Sequence, residues 1–356
     1  MNINLTAEQE AIAYDIEQFA RKSLRQTFVL HGLAGTGKTT LLSSVASLFP
    51  NALLCTLTGK AASVLRRKTG LDVHTVHSAF YKLVGEEVKN KKKNLIFRNA
   101  HFENELQDRI LFLDECSMIN QKIANDLLRS GVKIVACGDP GQLPPVEGES
   151  FFNKPDAMLE TIHRQALDSP IIRQAHRVRL GEKYETDGDN FIVRGFGEVS
   201  NKEKKEADII LCWTNKTRQA VNKHIRELRG FEMAPMPLAG ETILCLKNAT
   251  DFGIFNGGLY TLLEPFTEGD TEIFIEVEGR PVVVPNVNFH GLKSGLPEGV
   301  QATTWFDFGY ALTVHKAQGS EWQNVILIDE YRRQEERSRW LYTGITRASD
   351  KIIIVR

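Results

Sequence analysis

Long apolar runs are missing from this sequence of 356 residues. No stretch approaches the ~18 to 20 consecutive apolar residues that a membrane-spanning helix needs. The first residues, MNINLTAEQEAIAYDI, carry acidic side chains and no apolar centre, unlike a secretory signal. With 42% hydrophobic residues, the chain has ample material for two cores. We therefore expect a soluble, cytoplasmic protein with no membrane partner.

Cysteine is also scarce, and no two cysteines form a CxxC pair, so the spacing gives no sign of a zinc ribbon or a redox motif. Four of the five lie in apolar, strand-like runs. We expect buried free thiols in a reducing compartment. The cysteines are Cys55, Cys116, Cys137, Cys212 and Cys245.

An excess of charge of either sign is absent too. Lys and Arg total 44, Asp and Glu total 45, and the net charge is −1. Overall charge therefore does not predict a nucleic-acid partner, and such a partner has to be argued from local sites.

Short apolar runs that end in polar or glycine-rich turns recur along the chain. Their length and β-branched content predict strands buried on both faces. Helical patterns lie between many of them, as at Lys38–Phe49, Lys60–Lys68 and Lys216–Leu228. The alternation predicts an α/β fold with two parallel-sheet lobes. The predicted strands are 27–32, 52–59, 109–115, 133–139, 208–215, 324–330 and 351–355.

The alternation breaks in two places. Residues 79–107 read as two strands around a lysine-rich turn, Lys89–Lys93, and residues 241–300 read as a small all-β insert. Clustered charge and glycine in Gly181–Glu206 are typical of a loop or linker. No internal sequence repeat is evident.

A glycine-rich loop, Gly32-Leu-Ala-Gly-Thr-Gly-Lys38-Thr39, follows the first strand and opens a helix. Such a loop turns its N–H groups towards phosphates, and the helix N-terminus adds partial positive charge. Lys38 would reach the β- and γ-phosphates of ATP, and the Thr39 hydroxyl would hold Mg²⁺. The predicted phosphate-binding residues are Gly32, Gly35, Thr36, Gly37, Lys38, Thr39 and Thr40.

A P-loop needs an acidic partner at the end of a neighbouring strand, and two acid pairs qualify. ILFLDE ends in Asp114 and Glu115, and VILIDE ends in Asp329 and Glu330. Position in the chain favours the first pair, because it lies in the same lobe as Lys38. We expect Asp114 to bind Mg²⁺ and Glu115 to position the attacking water, and we interpret the second pair as structural.

A P-loop alone fits a kinase, a GTPase or a transporter ATPase, but an ordered set of motifs runs through nearly the whole chain. With this set the sequence resembles superfamily 1 helicases of the RecD-like, Dda-like branch, which includes phage-encoded enzymes. The segments are Leu5–Gln9, Gly32–Thr39, Thr58–Ala62, Thr75–Ser78, Asp114–Met118, Gly138–Pro145, His163–Gln165, Trp213–Lys216, Thr313–Glu321 and Tyr342–Ala348.

The resemblance implies roles for further residues around ATP. Gln9 would read the adenine, and Gln142 would link the γ-phosphate to the DNA groove. Arg164 and Arg347 would reach the γ-phosphate, where a permanently charged planar fork suits phosphate oxygens. In the segment Thr313–Glu321, motif V of the family, Glu321 would reach the ribose or a lobe-closing partner, and Gly319 would lie at the nucleotide. ATP between the two lobes would close them, and hydrolysis would let them open.

The resemblance also implies single-stranded DNA and single/double-strand junctions as partners. A motor must bind DNA of any base sequence, so we expect its contacts to go to the phosphates and sugars of the DNA backbone. The 79–107 insert would be a strand-separating pin with Phe97 as its wedge, or else Phe80, Tyr81 or Phe102. The bland alternative is that Phe97 packs the hairpin onto its lobe. The predicted DNA-binding residues are Thr58, Lys60, His77, Phe97, Thr313, His315 and Lys316.

The family layout divides the chain into two lobes with one insert each. The second insert would be SH3-like, and its presence favours 5′→3′ movement by analogy alone. The predicted parts are 1–78 and 108–165 for lobe 1A, 79–107 for the 1B pin, 166–240 and 301–356 for lobe 2A, and 241–300 for the 2B insert.

The leading hypothesis is a monomeric ATP-dependent DNA helicase, with replication or recombination proteins as candidate partners. The first alternative is a translocase that displaces bound proteins and unwinds little. The second is a nucleotide-gated DNA-binding scaffold without catalysis. The simultaneous presence of Lys38, Asp114, Glu115, Gln142 and Arg347 argues against the scaffold.

Overall fold

The structure is a computed structural model, and the chain divides into two compact units, Met1–Asp168 and Ser169–Arg356. Side chains of 82–89, 92–99 and 250 are outside the description. The described residues are 5–89, 92–99, 108–145, 148–163, 166, 168–231, 234–277, 279–290, 295–296 and 300–356.

The first unit is built on a parallel sheet of six strands in the order β3-β2-β6-β7-β1-β8. Its strands are β1 Thr27–Gly32, β2 Ala52–Thr56, β3 Val73–Thr75, β6 Ile110–Leu113, β7 Lys133–Gly138 and β8 Ala157–Leu159. Its helices are α1 Ala7–Lys22, α2 Lys38–Ala46, α3 Gly59–Thr69, α4 Val76–Phe80 and α5 Gln121–Arg129.

Both faces of this sheet carry a hydrophobic core, as expected for parallel strands covered by helices. On β1, Phe28 and Leu30 pack into the cluster that includes α1 and α2. Val29, between them, points into the opposite cluster, which includes α5. Because both faces are buried, the strand sequence is continuously apolar rather than alternating. Such a run predicts a buried strand from the sequence alone.

A two-stranded antiparallel hairpin interrupts the first unit between α4 and β6. Its strands are β4 Tyr81–Lys89 and β5 Lys92–Asn99, with a register shift between Leu83 and Gly85. The lysine-rich stretch lies at the turn end, where Lys89 pairs with Lys92.

The second unit contains a parallel sheet in the order β17-β10-β18-β19-β9. Its strands are β9 Phe191–Arg194, β10 Ile209–Cys212, β17 Ala311–Thr313, β18 Trp322–Ile328 and β19 Ala348–Val355. Its helices are α6 Pro170–Arg179, α7 Asn201–Glu206, α8 Asn215–Leu228 and α9 Gln334–Ile345.

A separate six-stranded sheet, the insert sheet, lies between β10 and β17 in sequence. Its order is β14-β13-β12-β11-β16-β15, and all pairs are antiparallel except β15 with β16. The sheet extends beyond residue 300, because β16 pairs with β11. The strands are β11 Thr242–Cys245, β12 Leu259–Leu262, β13 Glu272–Val277, β14 Arg280–Pro285, β15 Val287–Phe289 and β16 Thr304–Phe308.

The prediction of a loop or linker over Gly181–Glu206 is wrong. This region contains β9 and α7, and Phe191 is fully buried. Strand β9 extends the parallel sheet by pairing with β19. It is only four residues long, and the charged residues around it dominate the composition of the segment.

The structure also bears on the expectations for the cysteines and for membrane-spanning helices. All five cysteines are buried and free, as predicted. Within the described part of the chain, no helix combines the length and apolar character that crossing a membrane requires.

Candidate active site

The glycine-rich loop connects β1 to α2, as the sequence predicts. Gly35 and Gly37 adopt positive φ angles of 84° and 76°, which favour glycine. Thr36 is buried, and its hydroxyl donates to the Leu33 carbonyl at 2.9 Å, which tightens the turn. Because Gly37 is the N-cap of α2 and has no side chain, no capping side chain uses the first N–H groups of the helix. They are suited to phosphate oxygens.

Lys38 lies at the first position of α2, and its ammonium group is held by the loop itself. Nζ donates to the Leu33 carbonyl oxygen at 2.8 Å and lies 3.7 Å from Asp139 Oδ2. Asp139 is almost fully buried and follows β7, the strand next to β1 in the sheet. The Lys38 ammonium is therefore positioned over the loop by a carbonyl and a carboxylate.

Thr39 and Asp114 lie together, as predicted. Thr39 Oγ1 donates to Asp114 Oδ2 at 3.1 Å, and the Glu115 amide donates to Asp114 Oδ1 at 2.9 Å. Burial raises the pKa of the Asp114 carboxyl, and the Glu115 amide, Lys38 and Thr39 act against this rise. A hydroxyl and a carboxylate are hard oxygen ligands, which is the donor set that Mg²⁺ takes alongside substrate phosphates. The pair therefore fits a magnesium ion.

Glu115 has a strained backbone. Its φ of 57° and ψ of 42° place a non-glycine residue in the left-handed region, just before the 3₁₀ turn Cys116–Met118. Such outliers persist where the surroundings enforce them, and they cluster at functional sites. The turn redirects the chain directly after Asp114, so that the two adjacent acids do not continue the strand.

The turn after β7 holds Gln142. The Gly141 amide donates to Asp139 Oδ1 at 2.8 Å, and the Gln142 amide donates to the Asp139 carbonyl at 3.2 Å. Gln142 is buried, and its Oε1 accepts no hydrogen bond from any described residue. A buried acceptor without a donor is costly, so this oxygen suits a ligand or a water. Asp139 thus contacts Lys38 and shapes the turn that carries Gln142.

Gln9 lies at the P-loop, and it is 3% exposed. Its Nε2 donates to the Thr36 carbonyl at 3.2 Å and lies 3.0 Å from His163 Nε2. Its Oε1 accepts from the Thr6 amide at 3.0 Å, and Thr6 caps α1 in return. The start of α1 is therefore attached to the phosphate-binding loop through one amide.

Other residues predicted around the nucleotide are less informative. Gly32 lies close to Thr36, since a Cβ there would be 2.7 Å from Thr36 Oγ1. Thr40 is exposed on the first turn of α2. Arg164 lies outside the described residues.

Thr58 and Lys60 lie at the start of α3. Thr58 Oγ1 accepts from the Ala61 amide at 3.2 Å and caps the helix, while its hydroxyl donates to no described residue. Lys60 is partly buried, and this burial lowers its pKa to about 7. A cation close to half-charged at neutral pH beside a free hydroxyl donor is compatible with a phosphate contact.

His77 on α4 stacks on Tyr81, with ring centroids 5.2 Å apart. Tyr81 Oη donates to Asp126 Oδ2 at 2.8 Å and thereby fixes the first residue of the hairpin to α5. Phe80 is fully buried in the core. Full burial makes Phe80 wrong as a wedge candidate, and the contacts of Tyr81 count against its use as one.

The remaining wedge candidates are only partly described. Phe102 and the side chain of Phe97 lie outside the described residues. The backbone of Phe97 pairs with Leu83, while the turn end is at Lys89 and Lys92. At roughly 3.3 Å per residue, Phe97 is about 17 Å from the hairpin end.

In the second unit, Arg347 follows α9 and is 5% exposed. Its guanidinium donates to the Thr343 carbonyl at 3.0 Å, the Ser320 carbonyl at 3.1 Å and Thr346 Oγ1 at 3.1 Å. Within the described parts of the chain, no carboxylate forms an ion pair with it. Arg347 is therefore a fixed buried cation with its charge left for an anionic ligand.

Motif V follows β17. Thr313 is buried, His315 is half-buried and Lys316 is exposed. Burial lowers the pKa of His315, which is therefore neutral at pH 7. Gly319 has a φ of 71°, and the following Ser320 carbonyl holds Arg347. The contact joins Thr313–Glu321 to the segment Tyr342–Ala348, and Glu321 next to it is exposed.

Asp329 and Glu330 have structural partners, in agreement with the sequence interpretation. Glu330 Oε1 accepts from the Trp213 amide at 2.8 Å, and Oε2 accepts from the Thr217 hydroxyl at 2.7 Å, so it stabilises the start of α8. Asp329 pairs with Arg337 at 2.5 Å. The second acid pair is thus used within its own unit.

A row of buried polar side chains on α8 was not foreseen. Arg218, Asn222 and Arg226 are four residues apart, so they share one helix face. Arg218 pairs with Asp307 of β16 at 2.8 Å, and Arg226 pairs with Glu241 at 2.8 and 3.1 Å. Asn222 binds the Phe308 carbonyl at 2.8 Å and the Ala311 amide at 2.9 Å. We call these three residues the α8 polar row, and it fixes the insert sheet to α8.

Sequence reasoning also missed Asp139 and His163 as contributors to the site. Both belong to motif segments that had been quoted, but neither had been given a role. A side chain that acts through a neighbour has no composition signal of its own, and only the three-dimensional contacts reveal it.

Known proteins resemble this chain in both sequence and fold. Residues 4–190 match the model of the AAA domain family, and residues 308–355 match that of the UvrD-like helicase C-terminal domain. The chain is 30% identical to the ATP-dependent RecD2 DNA helicase of Deinococcus radiodurans, over 98% of this chain and 48% of that protein. It therefore spans about half the length of that relative.

A second relative is the ATP-dependent DNA helicase dda of Enterobacteria phage T4, with 26% identity over 79% of this chain and 72% of that protein. Among solved structures, Bacteroides Pif1 bound to ssDNA has a TM-score of 0.67 at 20% identity. That match covers 99% of this chain and 92% of the other, and it shows a shared fold. The chain belongs to the AAA domain family and, within it, to the superfamily 1 helicases of the RecD, Dda and Pif1 branch.

Proposed function

We propose that this chain is an ATP-dependent DNA helicase that moves along single-stranded DNA and separates duplex ahead of it. The observation that carries the proposal is the phosphate site of the first unit. There, Lys38 lies over the P-loop, and the Thr39 hydroxyl is 3.1 Å from the Asp114 carboxylate. The relatives named as ATP-dependent DNA helicases support the choice of DNA as the track.

Hydrolysis of ATP is mainly a matter of positioning and charge neutralisation. The N–H groups at the start of α2 and the Lys38 ammonium would bind the phosphates. Lys38 would then exchange its contact with the Leu33 carbonyl for phosphate oxygens. Thr39 and Asp114 would hold Mg²⁺, which neutralises charge on the β- and γ-phosphates when bound.

Glu115 and Gln142 are assigned to the attacking water. The left-handed turn at Glu115 separates its carboxylate from Asp114, so the two acids can take different roles. The Gln142 Oε1, a buried acceptor, would accept a hydrogen bond from that water, while sensing of the γ-phosphate would need the Nε2 donor. Because Gln142 depends on the Asp139 turn, and Asp139 contacts Lys38, a change at the phosphates would reach Gln142 directly.

Arg347 and Arg164 are assigned to the γ-phosphate. The support for Arg347 is its fixed guanidinium, which has three oxygen acceptors and no carboxylate partner among the described residues. The assignment of Arg164 rests on the family resemblance. By family resemblance, ATP would close the two lobes and hydrolysis would let them open, so that their grip on the strand alternates.

In the first unit, Thr58, Lys60 and His77 would hold the strand through contacts to the DNA backbone. Thr313, His315 and Lys316 would serve in the second unit. Movement in the 5′→3′ direction, the SH3-like nature of the insert sheet and replication or recombination partners are proposed by family analogy.

Strand displacement on tailed duplexes tests the proposal. One substrate carries a 5′ single-stranded tail and the other a 3′ tail, and both are given with ATP and Mg²⁺. We expect unwinding of the 5′-tailed duplex alone. Unwinding of the 3′-tailed duplex would reverse the polarity, and absence of DNA-stimulated ATP hydrolysis would overturn the motor itself.

A translocase that displaces bound proteins and unwinds little is the second candidate. It is favoured by the hairpin, because Phe80 and Tyr81 are used in packing and Phe97 is set back from the turn end. Phe97→Ala separates the candidates. A pin predicts a larger loss of unwinding than of translocation, and equal losses would exclude Phe97 as the wedge. Streptavidin displacement from tailed single strands, without unwinding, would establish the translocase.

A further inference from the structure

The amide of Gln9 has an orientation that its neighbours determine. The Thr6 backbone amide can only donate, so the Gln9 atom facing it at 3.0 Å is the oxygen. The Thr36 carbonyl can only accept, so the atom facing it at 3.2 Å is the nitrogen. The two contacts agree, and a flipped amide would lose both.

His163 is then forced into one role. Its Nε2 lies 3.0 Å from Gln9 Nε2, which is a donor, so His163 Nε2 has to accept. An accepting Nε2 carries no proton, so in this contact the ring proton is on Nδ1. Both hydrogens of the Gln9 amide nitrogen are used, one by Thr36 and one by His163.

The backbone holds His163 firmly in this position. The His163 amide donates to the Gly35 carbonyl at 3.0 Å. Glu160 and Thr161 shortly precede His163 in sequence, and their amides donate to the Glu8 carboxylate at 2.9 and 3.2 Å. The same first turn of α1 that carries Gln9 thus attaches the segment that carries His163.

The pair of side chains also packs on the P-loop. A Cβ at Gly37 would lie 2.5 Å from Gln9 Nε2 and 2.7 Å from His163 Nε2. Gly37 therefore lacks a side chain at the point where Gln9 and His163 meet the loop. The contact places the amide next to the phosphate site in the same unit.

We propose that His163 is a positioning residue that fixes the Gln9 amide with only an acceptor left to offer, and so makes the nucleotide site select adenine over guanine. The proposal rests on the proposed function. One lone pair of Gln9 Oε1 has no hydrogen-bond donor among the described residues. The exocyclic amine of adenine can donate to this lone pair, whereas guanine presents a carbonyl oxygen at the same position and is repelled.

Two substitutions at His163 form a matched pair. In His163→Gln, the side-chain amide oxygen can replace the accepting Nε2, because glutamine reaches a similar distance. His163→Leu fills similar space and cannot accept. A side chain that serves only packing would tolerate leucine at least as well as glutamine, so the order of the two variants is informative.

The experiment measures kcat and KM for ATP and for GTP with oligo(dT), in the wild type and both variants. We expect His163→Leu to lower the ATP-to-GTP ratio of kcat/KM about five- to tenfold, through KM. His163→Gln should keep the wild-type ratio. An unchanged ratio in His163→Leu, or an equal loss for both nucleotides, would overturn the proposal.

A double-mutant cycle with Gln9→Ala tests whether His163 acts through Gln9. In the Gln9→Ala background, His163→Leu should not change the ATP-to-GTP ratio further, and a further fall would contradict the proposal. Binding of fluorescently labelled ADP and GDP gives the same ratio without turnover. A wild type that binds ADP more tightly than GDP but hydrolyses neither ATP nor GTP would refute the motor function. The His163 proposal would then be decided by the ADP-to-GDP ratio of binding in the variants.

Discussion

Thr39 Oγ1 donates a hydrogen bond to Asp114 Oδ2 across 3.1 Å, and the carboxylate that accepts it is buried with a raised pKa. Burial thus makes the charged form of this carboxyl costly. Asp114→Asn would remove the charge and keep both contacts, because the amide oxygen can accept from Glu115 and the amide nitrogen can donate to Thr39.

We therefore expect opposite effects of Asp114→Asn on stability and activity. Without nucleotide, the melting temperature should stay equal or rise, because a buried charge is gone. ATP hydrolysis should fall by at least about 10²-fold, because a magnesium ligand is gone. Thermal melting and ATPase assays measure both, with exposed Asp108→Asn as the control. A destabilised variant with normal turnover would contradict the assignment.

Lys38→Ala separates ATP chemistry from DNA affinity. Its ammonium contacts the P-loop carbonyl of Leu33 and lies near Asp139, and neither belongs to the predicted DNA-binding residues. DNA-stimulated ATPase activity should be abolished, while most affinity for single-stranded DNA remains in fluorescence anisotropy. Lys22→Ala, an exposed lysine of the same unit, should change neither. Normal hydrolysis by Lys38→Ala would refute the P-loop assignment.

Lys60 predicts a pH dependence of DNA binding. Burial lowers its pKa to about 7, so the side chain loses its charge as the pH rises through neutrality. A DNA phosphate favours the charged form, and binding therefore takes up a proton. Affinity for single-stranded DNA should fall between pH 6 and pH 8. The decrease should be smaller in Lys60→Met, and an unchanged pH slope in that variant would exclude Lys60 as its origin.

The same shift has a consequence for folding. The pKa of Lys60 in the folded protein, about 7, lies below the ordinary value of 10.5, so the unfolded chain binds more protons between these values. The contribution of Lys60 to stability therefore improves as the pH rises from 7 to 10.5. Lys60→Met should be more stable than the wild type at pH 7, and the difference should shrink towards pH 10.

Arg347→Lys tests whether a planar fork is needed. Lysine keeps the positive charge but cannot donate in the fixed directions that reach Thr343, Ser320 and Thr346. We expect kcat to fall by at least about 10²-fold, with little change in DNA affinity. Circular dichroism provides the check on folding. If the lysine variant turns over at the wild-type rate, Arg347 does not act on the γ-phosphate.

Glu241→Gln tests the α8 polar row. The glutamine nitrogen would face the donors of Arg226 and of the Leu238 amide, and the buried Arg226 would lose its counter-charge. Breaking a buried ion pair on one side costs about 3–5 kcal/mol. The control is Glu227→Gln, which removes the exposed pair with Lys223 on the same helix and should cost less than about 1 kcal/mol. Urea unfolding compares them, and equal losses would contradict the role of burial.

Much of the fold was predictable because its parallel strands are buried on both faces. The observed β1 matches the predicted 27–32 run, and α8 begins one residue before the predicted helix start. Strands β3, β8, β9 and β17 were missed. Three of them have only three residues, and β9 lies in a segment whose composition is dominated by charged residues.

The site was predictable where chemistry fixes residue types at fixed spacing, as for Lys38, Thr39 and Asp114. It was not predictable where a residue works through a partner distant in sequence. Gln9 and His163 are 154 positions apart, and their contact exists only in the fold. The α8 polar row was missed for a related reason, since two arginines at helical spacing normally indicate a solvated face.

The α8 polar row bears on how this protein and its relatives can exchange parts. The insert sheet looks like a module in sequence, but its anchoring side chains are encoded outside it, on α8. A transplanted insert without a matching α8 face would bury Glu241 and Asp307 without counter-charges. Recombination, natural or engineered, should therefore succeed only when both segments are inherited together, so the unit of exchange begins at Asn215 rather than at Glu241.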